Sequence, residues 1–376
     1  MIALLLILEQ ANHNHKKEKI MNKIKLTYIV TCAFIANSVF ASEGEFKENG
    51  ESTGRSTMAT NENETHRECS VDVQVYLTER GMLSLHPDII SDALTGNAEA
   101  QCALGLCIQQ GLCVPRDLVV AAVLFRLAAE QDHAKAQCAL GSCYAEGRGV
   151  EIDHFKAFEL YTNAARVREG AHKGLALAQY NLGVCYEKGI GVTQNLAKAF
   201  EFFGLAADQG DAGAQYNLGV AHEKVRNYDE AVRFYGLAAR QDLPEAQYAL
   251  GVLHATGKGV AENLSEAAVL FKAAADLGHS VAQFEYGVFC EDGIGSDSKD
   301  MPSAFRYYKL AADQGDADAQ YNVGTCYFKG EGTDKNPYLA FKYLKKAAVQ
   351  GHTEARSLLL RELALSILRE LTLSRK

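Results

Sequence analysis

Ten cysteines, eleven histidines and the tetrad Ser296-Asp297-Ser298-Lys299 are the residues of this 376-residue chain best equipped for chemistry. Thiols could pair as disulfides, or join histidines around a zinc ion. A serine three residues before a lysine has the spacing of an acyl-transfer nucleophile and its base. The surroundings argue against each reading. The histidines are scattered, with no H-E-x-x-H and no Cys/His cluster, so we expect no metal and no cofactor. Cys107, Cys143, Cys185 and Cys326 share one register of a recurring segment, and Cys102 and Cys138 share another. Residues five apart on a helix lie about 140° apart, so Cys102 and Cys107 cannot pair or hold a metal together. Most cysteines read as small core fillers. The Ser-Lys pair falls in a loop, with neither S-D-N nor K-T-G elsewhere, so no catalytic residue is expected.

Five G-x-G turns, at Gly147/Gly149, Gly189/Gly191, Gly257/Gly259, Gly293/Gly295 and Gly330/Gly332, invite a phosphate-cradle reading. A dinucleotide loop must follow a strand and open a helix. These loops follow a helical pattern, which makes them turns.

The elements around these residues repeat. A-Q-C-A-L-G begins at Ala100 and Ala136, A-Q-Y-N-L-G at Ala178 and Ala214, and A-Q-Y-A-L-G at Ala246. Looser copies begin at Ala282 and Ala319. Their separations of 36, 42, 36, 32, 36 and 37 residues signal a stacked-repeat architecture. Within one unit, Ala178, Leu182, Gly183, Cys185 and Tyr186 keep helical spacing. Gly189-Ile190-Gly191 ends that helix, and Ala199, Phe200, Phe202, Phe203, Leu205 and Ala206 form a second one that stops at Gly210. A helix–turn–helix hairpin of this size cannot bury both faces alone, so neighbours must stack.

Gly105, Gly141, Gly183, Gly219, Gly251, Gly287 and Gly324 fall inside the first helices. Each costs about 1 kcal/mol against alanine, which predicts a compensating close approach of helices. The expected partners are small residues of the second helix: Ala121, Ala157, Ala199, Ala231, Ala267, Ala304 and Ala340.

The pattern A-x-A-Q-Y-N-L-G-x-x-Y-x-x-G-x-G-V, followed by K-A-x-x-[FY]-[FY]-x-x-A-A-x-Q-G, resembles the Sel-one-like repeat, a longer-looped relative of the tetratricopeptide repeat. The resemblance runs over residues 97–351 in seven copies. It implies an all-α fold, a right-handed α/α solenoid of stacked hairpins. The copy at Asp211–Asp242 lacks the G-x-G extension, and the copy at His133–Gly174 carries an insertion around Arg168–Lys173. Residues 71–96 read as a degenerate N-terminal cap. Residues 352–376, with Leu358, Leu360, Leu363, Ile367, Leu368 and Leu371, read as a closing amphipathic helix. Some exported relatives staple helices through cysteines. The second helices here read A-A-E, A-A-R and A-A-D without the partner cysteine, so that arrangement is not carried over.

In the tetratricopeptide relatives the first helices line a concave groove, and the residue pair before L-G points into it. On that resemblance Tyr180, Tyr216, Tyr248, Phe284 and Tyr321 form an aromatic ladder, flanked by Asn181, Asn217 and Asn322, with Glu285 breaking the series. An asparagine can donate to and accept from a peptide backbone at once. The same tyrosines could instead pack between repeats, and the sequence leaves both readings open.

The net charge of −9 argues against nucleic acid and anionic membranes as partners. From Met21, a basic stretch, an apolar run over Leu26–Ala36 and small residues ending at Ala41 have the layout of a secretory signal peptide. An amphipathic or anchoring helix is the alternative. Met21 reads as the true start, and removal of residues 1–41 takes five lysines and two glutamates, leaving −12. Loss of Cys32 would leave nine cysteines, an odd number, so at least one thiol stays free or pairs between chains. Residues 42–70 are polar enough to form a flexible leader. The expectation is a periplasmic or secreted, non-enzymatic scaffold for a protein or peptide, without membrane insertion after signal removal. Two alternatives stay open from the family: an exported β-lactam-binding hydrolase and an endoplasmic-reticulum quality-control adaptor. For the latter the sequons at Asn63 and Asn263 would matter.

Overall fold

The computed structural model describes residues 87–112, 115–166, 174–295 and 298–373. The signal-peptide reading (1–41), the leader (42–70), most of the N-terminal cap, the Arg168–Lys173 insertion, Ser296 and Asp297 lie outside the described residues. So do the side chains of Leu363, Ile367, Leu368 and Leu371.

Among the described residues there are sixteen α-helices and no strand. A short α1 (Pro87–Leu94) precedes seven hairpins. These are α2/α3 (Ala98–Gln110, Leu118–Ala129), α4/α5 (Ala134–Glu146, His154–Ala165) and α6/α7 (Ala176–Lys188, Leu196–Ala207). Then come α8/α9 (Ala212–Lys224, Tyr228–Ala239) and α10/α11 (Pro244–Thr256, Leu264–Asp276). The last two are α12/α13 (Ser280–Asp292, Met301–Asp313) and α14/α15 (Ala317–Lys329, Pro337–Val349). The closing helix α16 spans Thr353–Leu373. Each helix packs on the next in chain order, α1 on α2 through α15 on α16. The result is the all-α stack that the period implied.

Local chemistry sets the helix ends. Every second helix begins at an Asp or Asn (Asp117, Asp153, Asn195, Asn227, Asn263, Asp300, Asn336) whose side chain accepts a first-turn N–H. First helices with the G-x-G turn end on a left-handed glycine, as at Gly189 with φ 72°. In α8, which lacks that turn, Val225 is the cap and Arg226 takes the positive φ instead, at 60°. The second glycine of the turn also joins repeats. Gly191 rests on the His154 carbonyl at the start of α5, so any Cβ there would collide with backbone of the preceding repeat.

The glycines inside the first helices correct one expectation. The atoms nearest to them belong to large side chains of the second helix, not to the alanines. A Cβ on Gly105 would lie 2.6 Å from the Phe125 ring, and one on Gly287 would lie 2.7 Å from the Tyr308 ring. Tyr161, Phe203, Tyr235 and Phe271 cover Gly141, Gly183, Gly219 and Gly251, and Leu344 covers Gly324. The seven alanines are buried one turn earlier. Long helical side chains lean back toward the N-terminus, so the large residue four positions after each alanine reaches the glycine's level. Six of the seven glycines are therefore seats for a ring. Three of these rings are also tethered at the far end: Tyr161 donates to Ser142 at 3.2 Å, Tyr235 to Glu223 at 2.7 Å and Tyr308 to Glu291 at 2.6 Å.

A glutamine ladder, which sequence reasoning passed over, locks the repeats together. Gln101, Gln137, Gln179, Gln215, Gln247, Gln283 and Gln320 are buried beside the alanine that opens each motif. Six of them, all but Gln179, send Nε2 back to the preceding helix end, for example Gln283 to the Ala275 carbonyl at 3.0 Å and Gln320 to Ala312 at 3.2 Å. In several repeats the Oε1 atom accepts from a second glutamine at the end of the same hairpin. Gln209 donates to Gln179 at 2.7 Å, Gln314 to Gln283 at 2.8 Å and Gln350 to Gln320 at 2.9 Å. The A-Q that opens every copy of the motif was the available signal. Its carbonyl partner lies eight residues back in another helix and its glutamine partner 30 or so residues ahead, which hid its purpose.

Candidate functional site

The first helices carry the eight expected site residues at two adjacent positions of the motif, and all eight are half-buried. The structure does not stack the five rings on one another as a continuous ladder. Four of them lean on the ring that seats on the glycine of their own hairpin. Tyr180 lies 5.9 Å from Phe203, Tyr216 5.6 Å from Tyr235, Tyr248 5.6 Å from Phe271 and Phe284 5.8 Å from Tyr308, all tilted. In the last repeat the seat is filled by Leu344, and Tyr321 instead stacks on His352 at 4.6 Å. Tyr248 likewise stacks on His279 at 4.9 Å. One side of each ring is thus held by packing while part of its surface stays open. Burial pushes the hydroxyl pKa of Tyr180, Tyr216 and Tyr248 up, so these groups remain neutral donors.

The asparagines turn toward the preceding repeat. The Asn181 amide donates to the Cys138 sulfur at 3.6 Å. Asn217 stands within hydrogen-bonding reach of the Tyr180 hydroxyl, and Asn322 within reach of the Tyr308 hydroxyl. Glu285, in the same register, is half-buried and its carboxyl pKa is raised by that burial.

The histidines, cysteines and acids elsewhere among the described residues do not gather around a metal site. No group of three or more His, Cys, Asp or Glu side chains there is placed to hold a metal. Cys102, Cys107, Cys138, Cys143, Cys185, Cys290 and Cys326 are free thiols, and burial pushes Cys138 up to about 12 and Cys102, Cys185 and Cys326 up to about 11. Thiols raised that far are not nucleophiles near neutral pH. Among the described residues no helix is long and apolar enough to cross a membrane.

The Sel1 repeat family model matches seven successive segments: 98–133, 134–166, 176–211, 212–243, 244–279, 280–316 and 317–352. The chain belongs to the Sel1 repeat family. A solved structure, that of c5321, a protective antigen present in uropathogenic Escherichia coli strains displaying an SLR fold, is 32% identical with a TM-score of 0.62. The match covers 71% of this chain and 57% of c5321, so the Sel1 chain spans little more than half of that relative. A Sel1 repeat protein from Oxalobacter formigenes is 26% identical, with a TM-score of 0.55, over 66% of this chain and 96% of that one. No match is found among curated proteins. The Sel1 repeats of these neighbours form solenoids, and this chain builds the same architecture.

Proposed function

We propose that this Sel1 repeat chain is a non-enzymatic scaffold that holds an extended peptide or protein segment along the first-helix row of Tyr180, Asn181, Tyr216, Asn217, Tyr248, Phe284, Tyr321 and Asn322, and that it acts after export. The observation that carries the reading is the repeated half-burial of one aromatic per first helix from α6 onward. Each ring is anchored by a neighbouring ring and keeps an open part. Anchored aromatics lose little conformational entropy on contact and supply large amphipathic area. The asparagines add amides that could exchange a weak internal partner for a peptide backbone. The Asn181 contact to a sulfur is of that weak kind. Sel1 repeats commonly mediate protein–protein interaction, which supports the coarser part of the reading.

The test is affinity capture with the chain lacking residues 1–41, beside the variant Asn181→Ala/Asn217→Ala/Asn322→Ala. The partner captured by the parent chain should be lost or strongly reduced on the variant, while the variant's melting curve stays cooperative. Equal capture by both proteins would remove the row from the binding site.

A further inference from the structure

The first helices and the closing helix draw their N-caps from different chemistries, and histidine recurs among them. His133 before α4, His279 before α12 and His352 before α16 each accept a backbone N–H through Nδ1. The donors are Ala136 at 3.2 Å, Ala282 at 3.1 Å and Ala355 at 3.2 Å. An imidazole can accept at Nδ1 only while that nitrogen carries no proton, so each cap requires a neutral ring protonated on Nε2.

The other edge of the ring faces the preceding first helix. His133 Nε2 lies 2.7 Å from Glu99 and His352 Nε2 lies 3.2 Å from Asp318, while Glu245 acts on His279 through its charge. These acids occupy one position, the second residue of α2, α10 and α14. In the four other repeats that position holds Lys135, Leu177, Gly213 or Val281, and the cap that follows is Leu175, Asp211, Leu243 or Asp316. An acid therefore stands there only where a histidine cap follows. The internal correlation marks the acid and the histidine as a unit.

We propose that these acid–histidine pairs are proton-operated bolts: the neutral ring ties the start of one helix to the start of the first helix before it, and protonation undoes the cap. A proton on Nδ1 turns the acceptor into a donor that faces a backbone N–H, and it places a cation at the positive end of a helix. The other charged groups around each ring set how readily this happens. Lys135 stands 3.5 Å from Glu99, beside His133. At His279, burial holds the imidazole pKa below its ordinary value of 6.5, with Glu245 opposing. At His352, Glu354 lies 3.3 Å from Nδ1 and would receive the ring's new N–H as Ala355 is released. The sign is clearest at His279. The unfolded chain takes the proton before the folded one, so this cap's stability is full above the usual histidine range and is lost as pH falls through it.

His279 and His352 also cover Tyr248 and Tyr321. An effect of acid on partner binding would rest on the row proposed above, whereas the caps themselves need no partner. The test reads the caps alone, by amide NMR of the full chain between pH 8 and 5. The amide signals of Ala136, Ala282 and Ala355 should move as the caps open in acid. Those of Ala214 and Ala319, which cap on Asp211 and Asp316, should stay still over the same range. In parallel, loss of the His279 cap should lower the parent protein's melting temperature by about 2–4 °C between pH 7.5 and 5.5. The variant His133→Asn/His279→Asn/His352→Asn, which keeps a capping oxygen without a titrating group, should lose most of that fall. Flat amide signals, or an equal fall in the variant, would overturn the proposal.

Discussion

Leu277 stands 30 residues after Gln247, at the position where three other hairpins place the glutamine that donates to their ladder glutamine. The Gln247 Oε1 atom is consequently buried with no hydrogen-bond partner, although its Nε2 still reaches the Ala239 carbonyl at 3.3 Å. The hairpin α10/α11 thus lacks one rung of the ladder.

Restoring that rung should stabilise the protein. Leu277 is 51% exposed, so its loss removes little apolar burial. The variant Leu277→Gln gives the orphan oxygen a donor, a gain of about 1 kcal/mol. Urea unfolding should show a raised midpoint at unchanged slope.

The helical glycines divide into two classes with opposite expected signs. Gly204 and Gly236, in α7 and α9, have nothing within 4 Å of the place a methyl group would take. Gly236→Ala should therefore stabilise by about 1 kcal/mol through helix propensity alone. Gly219→Ala makes the same change against the Tyr235 ring, and it should destabilise by about 1–3 kcal/mol through overpacking. Thermal melts of the two single variants suffice. A stabilised Gly219→Ala would show that the ring's seat has room to spare.

The buried thiols should be silent in the folded protein. With their pKa values raised to about 11 or 12, Cys102, Cys138, Cys185 and Cys326 hold almost no thiolate at pH 8. Brief treatment with iodoacetamide at that pH, read by mass spectrometry, should leave these four unlabelled until denaturant is added. Prompt labelling of Cys138 in the native protein would mean that the α4 region opens readily.

The G-x-G turn makes one more prediction. Gly191→Ala forces a residue with a Cβ into φ +66° and against the His154 carbonyl. Beyond the roughly 1 kcal/mol for the left-handed conformation, the clash should loosen the α5/α6 junction. Hydrogen exchange should then rise in α5 and α6 while the hairpins from α10 onward keep their protection.

Much of this architecture is legible in the residues alone because it is local. The recurrence of A-Q-x-x-L-G, the turn glycines and the Asx residues before each second helix define hairpins without reference to anything outside the unit. The seven glycines announce a close approach by the same local logic. Two features resisted. The alanine expected over each glycine was displaced by the large residue one turn later, since side-chain lean in the packed pair decides which residue covers a given level. The buried glutamines looked like ordinary polar positions, because their donors and acceptors come from the preceding helix and from the hairpin's far end.

The aromatic row was readable as a register, but its surroundings were not. That Tyr180 rests on Phe203, or that Asn181 turns to Cys138 in the repeat before, depends on the rotation of one helix or hairpin against the next. The repeat, its helices and their breaks follow from the residues alone, since propensity and capping act within a few residues of one another. Which ring seats on which glycine, which glutamine bridges which helices and where the histidine caps meet their acids emerge only in the packed fold. Those contacts join residues of different helices, from eight to more than 30 positions apart, and it is the stacking of helices and repeats that brings them together.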